Sequence, residues 1–584
     1  MYRHGARRLD GTQTRFALWA PTCHSVAVEL QDGSRHPLAA QEDGWYALDL
    51  ACPAETRYRF VIDDHLRVPD PASRRQVADV HGFSQVVDHA AYAWQHTDWN
   101  GRPWHETVVY ELHVGLFGGF QQVEAHLPHL VELGVTALQL MPIGAFPGER
   151  NWGYDGVLPF APASAYGTPE QLKHLIDCAH GHGLMVFLDV VYNHFGPDGN
   201  YLGVYANCFF REDRMTPWGA AIDFREQAVQ EFFCENALMW LLDYRFDGLR
   251  LDAVHAIGDD AFLAQLAARV RQAVPAPRQV HLVLENEHNN ATLLTQGFDA
   301  QWNDDGHNSL HVLLTGEHEG YYADYASEPT HKLATCLEQG FVYQGQLTRH
   351  GQPRGEPSGH LPASAFVLFL QNHDQVGNRA FGERLIAIAD TDALKAATAL
   401  LLLSPMVPLL FMGEEWGSTQ PFLFFTDYHD DLASAVREGR RSEFAEFSRF
   451  SDPEIRQRIP DPNALDTFTR SQPDLAPASR FRQQEWLALY RELLHLRHSR
   501  LGAGLDQARS LGAEVLGQGA VSARWRLGDG RTLRIDLNLG LVTAQAPAPA
   551  ANAERLHAHR VNLDEFHQGL LPPRSAQVTL EPAA

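Results

Sequence analysis

The sequence predicts a multidomain α/β protein with an N-terminal β-sandwich, a central (β/α)8 TIM barrel and a small C-terminal β domain. Three observations support this fold class. Residues 1–92 alternate apolar and polar side chains between turns, residues 105–500 place short apolar runs between longer helical patterns, and residues 505–584 contain a hairpin pattern. The 584-residue chain also exceeds the length at which single cores stop growing.

The first domain is predicted from four short strand patterns that Gly, Pro and Asp turns separate. They lie at 15–21, 25–30, 44–50 and 57–62. The turn-rich stretch 92–105 follows them and marks a domain boundary.

The barrel is predicted from eight apolar runs, with helical patterns such as 169–183 and 225–244 between them. The runs lie at 108–115, 137–143, 185–194, 246–255, 281–287, 299–305, 365–374 and 407–416. The most apolar stretch, 396–412, contains Ser and Pro and is too short for a membrane span, so we expect a buried helix followed by a buried strand. After residue 505, the pattern at 522–540 indicates a hairpin, and 544–553 indicates a low-complexity loop.

Composition narrows the possible functions. A net charge of −25 with 45% hydrophobic residues describes a well-packed protein and argues against nucleic acid as a partner, because phosphate binding needs a basic surface. The six cysteines are scattered, which fits reduced thiols, and the first ten residues lack the apolar core of a signal peptide. We therefore expect a cytoplasmic protein without a membrane partner. The pairs His126/His129 and His180/His182 lack accompanying ligands in the sequence, so no metal is expected there.

Several predicted strands begin apolar and end polar, as in DVVYNH (189–194), LRLDAVH (249–255), LENE (284–287), WNDD (302–305) and QNHD (371–374). Active sites of such barrels are built at the carboxyl ends of the strands. A polar end that only marks where a strand reaches the surface explains one or two of these runs. It does not explain why carboxylates and histidines recur, so the gradient predicts a common site.

The run FDGLRLDAVH places Arg250 and Asp252 on one face of a strand and its leucines on the other. A structural ion pair would look the same in isolation. Retaining glycosidases, however, need two carboxyl groups about 5–5.5 Å apart, and adjacent strands lie about 4.8 Å apart. Asp252 on the fourth strand and Glu285 on the fifth meet this requirement. Arg250 would hold Asp252 ionised and oriented, while burial and nearby anions would keep Glu285 protonated.

The segments 189–194, 246–255, 282–287 and 369–375 resemble the four signature regions of the α-amylase superfamily, glycoside hydrolase family 13, in the same order. The resemblance implies Asp252 as the nucleophile, Glu285 as the general acid/base and Asp374 as the third carboxylate. It also implies substrate contacts from further residues: Arg250, His194, His373, Tyr154, Trp152, Asp189, His255 and Gln375. Trp218, Trp302 and Tyr322 are weaker candidates for stacking on sugar rings, with ordinary core packing as the alternative.

Long stretches outside these regions, including 141–173, 303–325 and 421–444, resemble the branch of the superfamily that acts on malto-oligosyltrehalose. The resemblance implies cleavage of the α-1,4 bond next to the terminal trehalose, and a functional link to a malto-oligosyltrehalose synthase. It implies no cofactor, and the short segment 195–224 predicts no required metal. His255 stands near the position where many amylases carry lysine, which predicts a role in selecting trehalose-ended chains. A glycogen branching or debranching enzyme and a catalytically silent carbohydrate-binding protein are the alternatives.

Overall fold

The computed structural model describes residues 2–216, 219–475 and 481–583. Its N-terminal part consists of two antiparallel sheets that pack on each other, as the contact between the rings of Phe16 and Tyr58, with centroids 4.8 Å apart, shows. This confirms the predicted β-sandwich. The first sheet contains, in spatial order, Gly5–Arg8, Gln13–Trp19, Trp45–Ala51 and Ala39–Ala40. The second contains Arg35–Pro37, Val26–Leu30, Arg57–Ile62 and Leu66–Val68, and Ser84–Gln85 pairs with Arg57–Ile62.

Eight parallel strands close into a barrel, which confirms the central fold prediction. In order around the barrel they are Val109–Leu112, Ala137–Leu140, Met185–Val190, Gly248–Leu251, His281–Leu284, Ala300–Trp302, Phe366–Phe369 and Val407–Phe411. Two small hairpins extend from it, formed by Gly144–Ala145 with Leu158–Pro162 and by Phe210–Thr216 with Gly219–Ile222.

Each barrel strand is shorter than the run that predicts it, and the polar ends lie just beyond the strands. The run 246–255 forms a strand only over Gly248–Leu251. Asp252 still donates its backbone N–H to Val190 at 3.0 Å, but Ala253 adopts a left-handed φ of 40° and ends the extended conformation. A short helix, Val254–Ile257, follows at once. The turn therefore begins within the predicted strand, at the residue after Asp252.

The predicted helices are present with small differences at their ends. The pattern 169–183 forms Pro169–Gly181, which a capping box at Thr168 starts, and 225–244 forms Gln227–Leu238 followed by a wider turn. The α-helices of the described residues are Val114–Phe117, Phe120–Leu133, Pro169–Gly181, Leu202–Tyr205, Gln227–Leu238, Val254–Ile257, Asp260–Ala273, Asp304–Thr315, Pro329–Gln339, His373–Gly377, Leu385–Ile388, Thr391–Leu403, Asp430–Glu443, Pro453–Gln457, Leu465–Ser471, Phe481–Leu496 and Leu563–Gln568. None of them is both long and apolar enough to cross a bilayer.

The barrel interior is packed with apolar side chains and is not a pore. They form one cluster, to which Val109, Ala137, Met185, Phe187, Val283, Ala300, Trp302, Val367, Phe369, Val407 and Leu409 belong. Gly248 also faces this interior, because a Cβ there would lie 2.7 Å from the Phe187 ring and 2.8 Å from the His281 carbonyl oxygen. Leu249 and Leu251 belong instead to the core outside the barrel wall, as their alternation with Arg250 predicts.

The C-terminal part is a five-stranded antiparallel sheet, which confirms the predicted small β domain. Its strands, in spatial order, are Arg509–Gly517, Ala520–Arg526, Thr532–Asn538, Ser575–Glu581 and Glu554–His559. The predicted hairpin pairs its second and third strands. The stretch predicted as a loop at 544–553 begins with a short strand, Ala544–Gln545, which pairs with Leu570–Leu571.

Candidate active site

The three carboxylic residues that the sequence singles out lie beyond the carboxyl ends of three barrel strands. Asp252 and Glu285 directly follow the fourth and fifth strands, and the backbone N–H of Glu285 still donates to the Leu251 carbonyl at 3.0 Å. Asp374 lies in the short helix His373–Gly377 after the seventh strand. Parallel strands carry all of these positions to the same end of the barrel.

Arg250 is at the centre of this group. Its Nη1 donates to the two carboxylate oxygens of Asp189 at 2.9 and 2.8 Å and to Oδ1 of Asp252 at 2.8 Å. Its Nη2 lies 3.5 Å from Oε2 of Glu285. The guanidinium is fully buried, with its central carbon 4.3 Å from the centroid of the Trp302 ring below it. A single fixed cation therefore orients three carboxyl groups.

Asp252 is held by a second group besides Arg250. Nδ2 of Asn193 donates to the backbone carbonyl and to Oδ2 of Asp252, both at 2.8 Å. The two carboxylate oxygens thus have different partners, Arg250 on Oδ1 and Asn193 on Oδ2. This arrangement fixes the direction of a carboxylate that is only slightly exposed.

Glu285 has the environment of a proton donor. Burial raises its pKa above the ordinary value, and the nearby Asp252 and Asp374 raise it further, while Arg250 acts in the opposite direction. Its Oε2 accepts from the backbone N–H of Ala253 at 2.5 Å. Among the described residues no hydrogen bond engages Oε1, which leaves that oxygen to carry a proton toward a substrate.

His373 connects Asp374 to the first barrel strand. Its Nδ1 donates to Oε1 of Glu111 at 2.7 Å, and its Nε2 lies 3.4 Å from Oδ1 of Asp374. Burial lowers its pKa, but Asp374 and Glu111 outweigh burial and raise the pKa to about 9. The ring is therefore an imidazolium at neutral pH. Asp374 itself is open to the cleft, with 41% of its side chain exposed.

Tyr154 covers His373 and reaches Asp189. The two rings stack with centroids 5.0 Å apart, and the Tyr154 hydroxyl donates to Oδ2 of Asp189 at 2.7 Å. Burial raises the Asp189 pKa to about 7, against the opposing effect of Arg250. His194 lies beside Tyr154, with its Nε2 2.9 Å from the Tyr154 carbonyl oxygen, and burial lowers its pKa. Asp189 is fully buried, so it acts through Arg250 and Tyr154.

The remaining residues that the sequence predicts to contact substrate differ in how deeply they are buried. Trp152 is only 4% exposed, stacks on Phe422 and donates its Nε1–H to the Leu423 carbonyl at 2.9 Å. Its burial favours a role in supporting His373, whose ring it meets edge-on, over the predicted sugar contact.

Gln375 donates to Oδ1 of Asp304 at 3.3 Å. His255 lies at the rim, where its Nδ1 accepts from the Glu287 backbone N–H at 3.3 Å. Trp302 is a buried floor under Arg250, and Tyr322 stacks on His311 with centroids 3.9 Å apart. Trp218 lies outside the described residues.

Three residues of the site were not singled out as site residues by the sequence. Glu111 is a buried glutamate in the middle of the first barrel strand, and this lone carboxylate in an apolar run was the available signal. Asn193 belongs to the polar end DVVYNH, and its amide is directed at Asp252. Asp304 belongs to the polar end WNDD, and burial together with Glu285 and Asp374 raises its pKa to about 8.

The sequence shows no accompanying ligand near the pair His126/His129, whereas the fold brings Glu415, which is 286 residues distant in sequence, to 3.0 Å from His129. Long-range contacts of this kind leave no local pattern. His180 has a different role, since it is hydrogen-bonded to Asp247 at 2.9 Å and stacked on Trp99.

Comparisons with known proteins agree with this geometry. Residues 90–207 match the model "Alpha amylase, catalytic domain", and residues 508–578 match a domain of unknown function, DUF3459. A pullulanase from Anoxybacillus sp. LM18-11, solved with maltotetraose, shares the fold with a TM-score of 0.74 at 17% identity, over 99% of this chain and 87% of its own. A closed parallel barrel that carries an arginine-centred group of carboxyls defines a glycosidase of the α-amylase class.

Relatives that align over most of the chain narrow this class. A malto-oligosyltrehalose trehalohydrolase from Deinococcus radiodurans is 43% identical over 85% of this chain and 83% of its own length, and one from Rhizobium sp. (strain M-11) is 39% identical over 83% and 85%. A crystal structure from Salmonella typhimurium, provisionally described as an alpha amylase, has a TM-score of 0.93 at 43% identity and covers both chains fully. The chain belongs to the malto-oligosyltrehalose trehalohydrolase family.

Proposed function

We propose that this protein hydrolyses the α-1,4-glucosidic bond next to the terminal trehalose of malto-oligosyltrehalose, releasing trehalose and a shortened maltodextrin. One observation carries the proposal. A chain that aligns with trehalohydrolases over most of its length also holds Asp252 and Glu285 against a buried Arg250, with Asp374 near Glu285. A carbohydrate-binding protein without activity would not need this set of carboxyl groups, because function resides in the site and not in the fold.

The reaction follows from the two environments of the carboxyl groups. Asp252, held by Arg250 and Asn193, attacks the anomeric carbon, while Glu285 gives its proton to the oxygen of the departing trehalose. A covalent bond between the sugar and Asp252 forms as the glycosidic bond breaks. Glu285, now ionised, takes a proton from water, and this water releases the maltodextrin with retained configuration.

The other residues bind and shape the sugar. Asp374 lines the cleft, with the buried imidazolium of His373 behind it, and this pair suits contacts with the hydroxyl groups of the reacting ring. Tyr154 offers an aromatic face above them. His194, Gln375 and His255 complete the proposed substrate contacts, whereas Asp189 and Trp152 hold neighbouring side chains in place.

The decisive experiment compares two substrates of equal ring number. Purified protein is incubated with maltotriosyltrehalose and, separately, with maltopentaose, and the products are separated by chromatography. Free trehalose from the first with little cleavage of the second is the expected result. Asp252→Asn and Glu285→Gln serve as controls, and both should remain folded while losing most activity. A change in the branch content of amylopectin without trehalose release would instead indicate a branching enzyme, to which a Pseudoalteromonas atlantica protein of that name is 32% identical over 38% of its length.

The remaining proposals concern organisation and cellular context. We propose domain limits of 1–92, 105–500 and 505–584, supported by sheets that end at Gln85 and begin again at Arg509 on either side of the barrel. All six cysteines are free, which supports residence in a reducing cytoplasm. A malto-oligosyltrehalose synthase is the functional partner that supplies the substrate.

A further inference from the structure

Two histidines and a glutamate meet on the outer side of the barrel, apart from the catalytic residues. His126 and His129 lie one turn apart on the helix Phe120–Leu133, and their ring centroids are 4.7 Å apart. Glu415 lies in the turn after the eighth barrel strand, with Oε1 3.0 Å from Nε2 of His129. One potential ligand atom from each residue falls within 4.8 Å of the others.

We propose that His126, His129 and Glu415 bind a zinc ion that joins the first long helix of the barrel to the turn after its last strand. Two imidazole nitrogens and one carboxylate oxygen form a common zinc ligand set, with water as the fourth ligand. Calcium and magnesium prefer oxygen ligands alone, so the two histidines select against them. The site is structural and takes no part in glycoside hydrolysis.

The Nε2 atom of His126 is available as a metal ligand. This atom is buried and has no hydrogen-bond partner among the described residues. A buried polar nitrogen without a partner is costly, and a bound cation removes that cost.

The Glu415 carboxylate is held in place by a neighbouring hydrogen-bond donor, as metal-ligating carboxylates usually are. It is fully buried, and the hydroxyl of Tyr110 donates to Oε1 at 3.1 Å. Trp416 packs edge-on against His129, and Phe117 packs edge-on against His126. Hydrogen bonds and packing of this kind orient ligands before a metal arrives.

The position of the cluster explains what the ion would do. Barrel closure depends on the pairing of the first and eighth strands, in which Val109 lies opposite Leu409. Tyr110 belongs to the first strand and Glu415 follows the eighth, so the zinc ion lies beside this seam. Cross-linking the seam stabilises the folded state, because the metal binds it and not the unfolded chain.

A second group, formed between the helices Phe120–Leu133 and Pro169–Gly181, provides an internal control. Glu124, His174 and Cys178 also bring three potential ligand atoms together, with Nδ1 of His174 2.6 Å from Glu124 Oε2 and 3.6 Å from Sγ of Cys178. This group is more exposed and contains a thiol. Co²⁺ bound there through a thiolate absorbs strongly in the near ultraviolet, whereas Co²⁺ bound by nitrogen and oxygen alone does not.

The test uses the full-length protein after removal of metals by a chelator. Co²⁺ is added to record the visible spectrum of the bound ion, and Zn²⁺ is added to measure the change in Tm and the number of ions per chain. We expect one Zn²⁺ per chain, a Tm increase of about 2–4 °C at saturating metal, and a Co²⁺ spectrum without a thiolate band. His126→Leu should abolish all three effects. Within the described part of the chain, Nε2 of His126 makes no hydrogen bond, so this variant should fold normally and hydrolyse maltotriosyltrehalose at the unchanged rate.

Two controls make the result decisive. Cys178→Ser should leave zinc binding and the Tm shift unchanged, and His129→Gln should abolish both even if it lowers the metal-free Tm. The proposal is overturned if the protein binds no Zn²⁺, if His126→Leu binds Zn²⁺ like the parent protein, or if Cys178→Ser removes the bound ion.

Discussion

Nδ2 of Asn193 lies 2.8 Å from the backbone carbonyl oxygen of Asp252 and 2.8 Å from its Oδ2. One amide thus fixes both the main chain and the side chain of the proposed nucleophile. Asn193→Ala should therefore lower kcat by about 10- to 100-fold, which corresponds to about 1.4–2.7 kcal/mol of activation free energy. Steady-state hydrolysis of maltotriosyltrehalose checks this, with circular dichroism as the folding control. A variant as active as the parent would show that Arg250 alone orients Asp252.

Arg250→Met should lower both activity and stability. The substitution leaves Asp189 and Asp252 without their shared cation, and removing one member of a buried ion pair costs about 3–5 kcal/mol. Urea unfolding at neutral pH measures the loss of stability. Arg250→Lys keeps the charge but not the planar fork, so it should recover part of the stability and little of the activity. Equal stability of Arg250→Met and the parent protein would contradict this account.

The pH dependence of kcat/KM should report Glu285. Its pKa is raised by burial above the ordinary value, and the proton donor works only while protonated, so activity should fall as pH rises through this raised pKa. α-Maltosyl fluoride provides a control because its leaving group needs no proton. The basic limb should be present with maltotriosyltrehalose and absent with the fluoride. A basic limb of equal midpoint for both substrates would assign it to another group.

Asp304→Asn should change how stability depends on pH. The folded pKa of Asp304 is about 8 and the unfolded pKa is about 3.9, so between these values the folded chain holds a proton that the unfolded chain has released. Stability contributed by this proton is present below about pH 4 and is lost as pH rises toward 8. The variant cannot titrate, so its stability relative to the parent should increase between pH 5 and pH 8. Urea unfolding at both values tests this, and Asp64→Asn, an exposed position, should show no such trend.

His255→Lys should weaken the preference for trehalose-ended substrates. His255 lies at the rim beside His288, with ring centroids 5.5 Å apart, and lysine brings a longer and permanently charged side chain to this position. The ratio of kcat/KM for maltotriosyltrehalose to that for maltopentaose should fall by about tenfold, or about 1.4 kcal/mol. His288→Lys is the matched control and should change the ratio less. An unchanged ratio in His255→Lys would remove the proposed role.

Sequence patterns predicted the barrel because each strand is an apolar run bounded by turns, and they overestimated strand lengths for a physical reason. The backbone of Asp252 and Glu285 remains hydrogen-bonded to the neighbouring strands one residue past the assigned ends. The left-handed φ of Ala253, a residue with no special preference for that region, cannot be read from its type.

The central residues of the site could be predicted because they cluster at strand ends. The residues that hold other side chains in position through long-range contacts could not be predicted. Glu111 joins His373 across 262 residues, and Glu415 joins His129 across 286. Such contacts depend on how the barrel closes, and no local spacing encodes them. Trp152 was predicted to contact sugar but is buried. The sequence alone does not show whether an aromatic residue near a site faces the substrate or the core.

Gly248 has a consequence for engineering. Gly248 lies two residues before Arg250 on the same strand, and a side chain there would collide with the Phe187 ring. Glycine is therefore required at this position by the space inside the barrel and not by the reaction. A designer who transfers the arginine and its carboxyl partners to another barrel must therefore move the glycine and the phenylalanine together. Transplanting the polar residues alone would place the arginine on a strand that is pushed outward, away from the groups it is meant to hold.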